Sequence, residues 1–130
     1  MMNEVEADGW ADKVGGLAGK CELEGAAPAE LLREMHAVLT AGPARICSAI
    51  RPDISPSSLQ LLLDAGAYES AALRLLHNCG YLLSRGGEGL FIASVVVPAA
   101  GRDYSHSGRS AEVALCGALA VALQECLAVE

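Results

Sequence analysis

The clearest pattern in the chain is an apolar stripe with helical spacing, starting shortly after Pro28. Five residues fall at positions i, i+1, i+4, i+7 and i+8 and share one helix face: Leu31, Leu32, Met35, Val38 and Leu39. Pro28 suits a first helical turn, because its missing N–H has no partner there, and Gly42-Pro43 ends the pattern. We predict a helix from Pro28 to Gly42, with His36 off the stripe and exposed to solvent.

Two more helices are predicted in the middle of the chain. Ser55 is a typical N-cap, Pro56 suits the first helical position, and Gly66 closes that helix. A short apolar connector, residues 44–51, precedes it. For residues 69–77 the Ala and Leu content favours a helix closed by Gly80, whereas the alternation around Arg74 also permits a strand. We prefer the helix and leave the strand open.

Two strands follow, Tyr81 to Ser84 and Leu90 to Val97. The segment RGGEG between them is a hairpin turn, with glycines supplying positive φ. A phosphate-binding glycine loop would instead join a strand to a helix. The second strand is apolar throughout, which predicts that both of its faces are covered.

The last predicted helix runs from about Ser110 to Ala128, after a polar loop over residues 99–109. It is apolar nearly all round, which indicates burial on more than one side. One small domain has few layers with which to cover it, so we predict a homodimer. The contact is expected at or near four residues: Val113, Gly117, Ala120 and Val121. The predicted fold class is α+β, with helices around a small antiparallel sheet (a hairpin at about 81–97) and a long buried C-terminal helix.

The N-terminal segment, residues 1–25, shows no sustained period and holds six acids against two lysines. We predict a flexible acidic arm there, in which Trp10 is the one residue that could dock, and a single α+β domain over 26–130. The net charge of the chain is -7. This acidity disfavours nucleic-acid binding, which needs a Lys/Arg stripe to neutralise phosphates.

The densest polar cluster lies between Arg102 and Ser110. It contains serine, histidine and aspartate, but neighbours on one loop rarely converge as a catalytic triad, and no GxSxG turn is present. Two interpretations remain open: a solvent loop ending in a helix cap, or an anion site beside a helix N-terminus. The second assigns ligand binding to four residues: Arg102, His106, Arg109 and Ser110. No catalytic residue is predicted.

The chain has five cysteines without CxxC spacing, and His77 and Cys79 form an isolated pair. Structural zinc sites usually have paired spacings, so we predict free buried thiols, no metal and no cofactor. The acidic N-terminus has no apolar segment of the signal-peptide kind, and the longest apolar run, Val113 to Leu123, is too short to cross a bilayer. A cytoplasmic protein without membrane contact is expected.

Three segments, AYESAALRLL, NCGYLLSRGGEGLFIASVV and SAEVALCGALAVAL, resemble the phage ABA sandwich domain family, as does LTAGPARICSAI upstream of them. The resemblance covers about residues 38–127 and rests on packing residues. Family strands carry more Trp and charge, and the Ser55–Gly66 helix is an addition. The resemblance implies helices packed around a small antiparallel sheet. It implies no catalytic residue.

These observations lead to an expected function. The leading hypothesis is a non-enzymatic accessory or assembly protein of phage or prophage origin, which acts through self-association and contacts with an unidentified protein. The alternative is a small-molecule or anion-binding domain that uses the Arg102–Ser110 segment.

Overall fold

The computed structural model describes residues 3–23 and 25–128. Over these residues the chain has the predicted α+β fold, and it is built from six α-helices and one three-stranded antiparallel sheet. The helices are α1 (Glu4–Cys21), α2 (Pro28–Ala41), α3 (Ala44–Cys47), α4 (Pro56–Asp64), α5 (Tyr68–Leu75) and α6 (Ala111–Ala128). The strands are β1 (Gly80–Arg85), β2 (Phe91–Val96) and β3 (Asp103–Gly108).

The prediction of a flexible N-terminal arm is wrong, because α1 is part of the core. Asn3 caps this helix by accepting the Glu6 amide N–H at 2.8 Å. Four residues three or four apart form its buried face: Trp10, Val14, Leu17 and Cys21. The glycines and acids between them conceal the period in the sequence. The domain therefore begins with α1 and not at residue 26.

Trp10 fastens α1 to the end of α2. Its indole Nε1–H donates to the backbone C=O of Val38 at 2.8 Å. Any Cβ at Gly42 would overlap both the Trp10 ring and the Cys47 sulfur, so a glycine is needed where these elements meet. The anticipated docking of Trp10 is therefore a fixed feature of the fold.

The predicted starts of α2 and α4 are confirmed. Pro28 and Pro56 occupy the first turns, and Ser55 caps α4 by accepting the Ser58 amide N–H at 3.1 Å. The prediction of a solvent-exposed His36 is wrong. This side chain is buried, and its Nε2–H donates to the backbone C=O of Ile54 at 2.8 Å. It joins α2 to the segment before α4.

Residues 68–75 form a helix, so the strand alternative for this segment is excluded. Gly80 does not close it, since it is the first residue of β1 and has no positive φ. Residues 76–79 lead from α5 into β1 instead. At the end of α4, the left-handed position predicted for Gly66 is confirmed by its φ of 71°.

The sheet has the order β1-β2-β3, one strand more than predicted. The segment RGGEG forms the β1–β2 turn, and its positive φ values fall on Glu88 (61°) and Gly89 (77°). The prediction of a polar loop over 99–109 is wrong, because residues 103–108 pair antiparallel with β2. Their alternation of exposed and half-buried residues is a strand period.

The two faces of the sheet differ. The face toward α6 carries Ala93 and Val95 of β2, both fully buried. Alternation places Ile92 and Ser94 on the opposite, outer face, where Ile92 is 44% exposed. The prediction that β2 is covered on both faces is therefore wrong. An antiparallel sheet is stable with only one face buried.

Helix α6 is the centre of the core, as its all-round apolar sequence predicted. It contacts β2 and β3 on one side and α1, α2 and α5 on the others. Gly117 and Ala120, expected at a dimer contact, are buried within the single chain, and Val113 and Val121 are half-buried. Gly117 and Ala120 are therefore not available for such a contact, since α1 supplies a layer that covers α6, and a contact near Val113 or Val121 stays a prediction.

By length and composition alone, α6 could span a membrane. However, 61% of its 18-residue apolar window is buried inside the domain. This is the behaviour of a core helix in a soluble protein. The hydropathy of α6 is explained by the three helices and two strands around it.

Candidate functional site

The polar cluster predicted to bind an anion lies on β3 and at the start of α6. Ser110 is the N-cap of α6: its Oγ accepts the Val113 amide N–H at 3.4 Å, and its C=O accepts the Ala114 N–H at 3.1 Å. His106 faces α6 from the middle of β3, and Arg109 is exposed directly after the strand. The predicted helix cap at the end of this segment is confirmed and falls on Ser110, whereas the residues before it form a strand and not a solvent loop.

Three of the four predicted ligand-binding residues, His106, Arg109 and Ser110, line one cavity of about 480 Å³. The opposite wall is formed by the end of α1 and the following turn, including Cys21 and Glu22. The structure does not bring Arg102 into this group. It precedes β3 at the other end, about 23 Å from Arg109 at 3.3 Å per residue, and its guanidinium stacks 5.6 Å from the Tyr104 ring centroid.

His106 is held against α6 by the absence of a side chain at Gly117. A Cβ at that position would overlap the imidazole ring. Among the described residues, His106 Nδ1 is buried without a hydrogen-bond partner. Since this nitrogen is directed at the helix backbone, the close packing accounts for His106 better than a role in binding does.

The pleat of β3 separates the groups that a nucleophilic mechanism would have to combine. Ser105 and Ser107 lie on the outer face, whereas His106 lies on the inner face. Ser105 Oγ is already hydrogen-bonded to Ser94 Oγ at 2.7 Å. A serine–histidine pair with the required hydrogen bond is therefore not formed along this strand.

The electrostatics of the cavity are mixed. Arg109 and the N-terminus of α6 favour an anion, but Glu22 on the facing wall opposes one. What the cavity offers an anion is thus one guanidinium and the N-terminal end of one helix, with a carboxylate opposite.

The five cysteines are free thiols, and four of them are buried. Burial raises the pKa of the Cys21 and Cys47 thiols to about 11 and that of Cys79 to about 12. The pKa of Cys116 is also raised, mainly by burial. These thiols are protonated at neutral pH and so are poor nucleophiles. Among the described residues, no group of three or more His, Cys, Asp or Glu side chains could hold a metal ion.

A second feature, the open side of the sheet, was not predicted from the sequence. Leu82 of β1 is 70% exposed and Ile92 of β2 is 44% exposed, and both lie on the outer face. Tyr81, on the other face of β1, is also exposed. The outer face carries small hydroxyls beside these apolar groups, contributed by four residues: Ser84, Ser94, Ser105 and Ser107.

Both edges of the sheet are open as well. The order β1-β2-β3 makes β1 and β3 edge strands, each with one unpaired row of backbone N–H and C=O groups within the described chain. Exposed edges of this kind are templates for an added strand. A signal for this region was present in YLLS, whose apolar residues alternate onto both faces of an edge strand.

Compared with known proteins, the chain matches no family model, no curated protein and no solved structure.

Proposed function

We propose that this chain is a non-enzymatic, cytoplasmic accessory or assembly protein that acts through protein–protein contacts made by its open sheet. One observation carries the proposal: among the described residues, helices cover one face of the sheet, while the other face exposes Leu82 and Ile92. Exposed apolar groups that adjoin each other commonly mark interaction sites. A phage or prophage origin rests on the resemblance of the packing segments alone.

The location of the exposed groups supports contact with protein. Leu82 and Ile92 are diagonal neighbours on adjacent strands, because Leu82 pairs with Ser94 and Ile92 with Ser84. Side chains related in this way are within reach of each other and can form one apolar patch. The serines around this patch suit a polar rim, the usual surrounding of an interface core.

A site-specific photocrosslinker tests the proposal. We expect a benzophenone amino acid at Leu82 or Ile92 to crosslink a defined protein species, either a second copy or a host protein, in cells of the source organism. The control position is Leu61 on α4, an exposed leucine (71%) away from the sheet. Crosslinks from Leu61 alone, or equally from all three positions, would contradict the proposal.

The second candidate function is anion or small-molecule binding in the 480 Å³ cavity lined by His106, Arg109 and Ser110. A thermal-shift screen with phosphates and carboxylates tests it. If a ligand binds there, it raises the Tm of the wild type and of Arg102→Ala, because Arg102 lies outside the cavity, but not that of Arg109→Ala. A shift lost equally in both variants would place the ligand elsewhere.

A further inference from the structure

A cavity of about 360 Å³ lies between α2 and α4. From α2 it is lined by four residues that share one helix face: Arg33, His36, Ala37 and Thr40. From α4 it is lined by Pro56, Leu59 and Gln60. His36 and Leu59 are buried and the other lining residues are more exposed, so the cavity has a closed base and an open mouth. Its volume is near the lower end of the range for ligand pockets and suits a small molecule.

His36 presents an unoccupied hydrogen-bond acceptor to this cavity. Because its Nε2–H donates to the Ile54 C=O at 2.8 Å, the ring proton is on Nε2 and the free lone pair is on Nδ1. The side chain is only 7% exposed, yet Nδ1 is not a buried atom and has no hydrogen-bond partner among the described residues. Since His36 lines the cavity, Nδ1 is accessible from there. It can accept a hydrogen bond from a hydroxyl group of a bound molecule.

Arg33 brings a positive charge to the same cavity. Its Nη1–H donates to Gln60 Oε1 at 3.2 Å, and Gln60 in turn donates its Nε2–H to Asp64 Oδ1 at 2.8 Å. Gln60 thus separates Arg33 from the Asp64 carboxylate. In the described part of the chain, no carboxylate lies within ion-pair distance of Arg33. The remaining N–H groups of the guanidinium are suited to hold the two oxygens of an acid.

The charge of its lining distinguishes this cavity from two others of similar size. Glu22 lines the cavity beside α6, and Glu34 lines a groove between α1 and α2. Among the described residues, the lining of the α2–α4 cavity holds Arg33 and no carboxylate. It also includes Pro56, the first residue of α4, so the positive end of that helix adjoins it. In a chain with a net charge of -7, this cavity is suited to an anion.

We propose that the α2–α4 cavity binds a small organic anion that also carries a hydroxyl group, such as a hydroxycarboxylate or a polyol phosphate. Arg33 holds the acid, and the hydroxyl group donates to His36 Nδ1. The two residues are three positions apart on one helix face, with their Cβ atoms about 5–6 Å from each other. The acid and the hydroxyl group therefore have to be close together in one small molecule. The inference is independent of the proposed function, which uses the sheet.

NMR titrations of the full chain with two matched pairs of probes test the inference. The first pair is malate and succinate, which lacks the hydroxyl group, and the second is glycerol phosphate and inorganic phosphate. In at least one pair, we expect the hydroxylated probe to bind about fivefold more tightly, because Nδ1 gains a donor. The nitrogen chemical shift of His36 Nδ1 should move with that probe. The pair that shows the preference identifies the acid as a carboxylate or a phosphate.

Substitutions locate the binding site. Arg33→Gln should weaken binding of the preferred probe about tenfold, because it removes a charged donor. The matched control is Arg85→Gln, which makes the same charge change on an exposed residue of β1 outside the cavity and should bind like the wild type. His36→Gln keeps an amide N–H for the Ile54 C=O but lacks Nδ1, so it should lose the preference for the hydroxyl group. Circular dichroism and the Tm establish that each variant is folded, and the wild-type comparison of the probes does not depend on any variant.

Four results would overturn the inference. They are no binding of any probe at tens of millimolar, equal binding within both pairs, equal weakening by Arg33→Gln and Arg85→Gln, and binding that Arg109→Ala removes but Arg33→Gln does not. The last result would place the ligand in the cavity beside α6. None of the four affects the crosslinks from Leu82 and Ile92, so the failure of this inference and the failure of the proposed function are distinguishable.

Discussion

Helix α6 and strand β1 are both apolar, yet one is enclosed and the other is open. Leu119 in α6 is 1% exposed, whereas Leu82 in β1 is 70% exposed. An apolar sequence predicts that an element is buried but does not say which other elements cover it. In this chain α1 provides cover for α6, and the uncovered apolar groups remain on the sheet. A contact surface is therefore expected on the sheet and not on the helix that first suggested one.

The largest effect should come from detaching α1. Trp10→Ala removes a buried aromatic side chain and leaves the Val38 C=O without its indole donor. We expect a loss of about 3–5 kcal/mol in the free energy of unfolding, measured by urea titration. Trp10→Phe, which keeps most of the packing, should lose clearly less. A loss below about 1 kcal/mol for Trp10→Ala would mean that α1 is not part of the core.

A matched pair of leucine truncations compares the two regions directly. Leu119→Ala should reduce the free energy of unfolding by about 2–5 kcal/mol, because it leaves a cavity inside the helical layer. Leu82→Ala should change it by less than about 0.5 kcal/mol, since that side chain has little cover to lose. Both values come from the same urea titration. Equal losses would contradict the distinction between enclosed helix and open strand.

The junction between the two regions is the contact of His106 with Gly117. Gly117→Ala forces the imidazole away from α6 and should cost about 1–3 kcal/mol by urea titration. Adding His106→Ala should relieve part of this cost, because the ring that the new methyl group meets is gone. If the two changes are simply additive, His106 and Gly117 are not in the close contact described here.

The buried cysteines predict a smaller, pH-dependent effect. Burial raises the pKa of Cys21 from 9.0 to about 11, so the unfolded chain loses this proton at lower pH than the folded one. Stability is therefore fully present below pH 9 and falls as the pH rises toward 11. By pH 10 the expected fall is about 1 kcal/mol, measured by urea titration under reducing conditions. Cys21→Ala should show a shallower fall, and an identical slope would contradict this origin.

Much of the fold follows from local rules that the sequence displays. Pro28, Ser55-Pro56 and Gly66 mark helix ends through φ restriction and capping, and RGGEG marks a turn between apolar strands. These features act within a few residues, so a single sequence is enough to reveal them.

The elements that escaped prediction depend on distant partners. The four core residues of α1 are separated by glycines and acids, and only the packing against α6 and α2 shows that they form a buried face. Strand β3 is polar because its outer face is exposed to solvent, so its sequence resembles that of a loop. His36 can be buried because the Ile54 C=O, eighteen residues later, accepts a hydrogen bond from its Nε2–H.

The candidate site was found in part, for the same reason. Ser110 could be placed by helix-capping rules, and Arg109 follows from its position next to that cap. The separation of Arg102 from the others could not be foreseen, because a loop would have allowed all four to converge, whereas the strand between Arg102 and Arg109 holds these two about 23 Å apart. The open edge of β3 was not predicted either, because these residues were expected to form a loop.

Hydrogen exchange of the wild type at low and high protein concentration tests the central claim most directly, namely that contacts form on the sheet while α6 is already enclosed. We expect amides of the sheet, residues 80–85, 91–96 and 103–108, to exchange more slowly at high concentration, as contacts form on the open sheet. Amides of Ala111–Ala128 should be protected equally at both concentrations. Concentration-dependent protection confined to α6, or none in the sheet, would contradict the account.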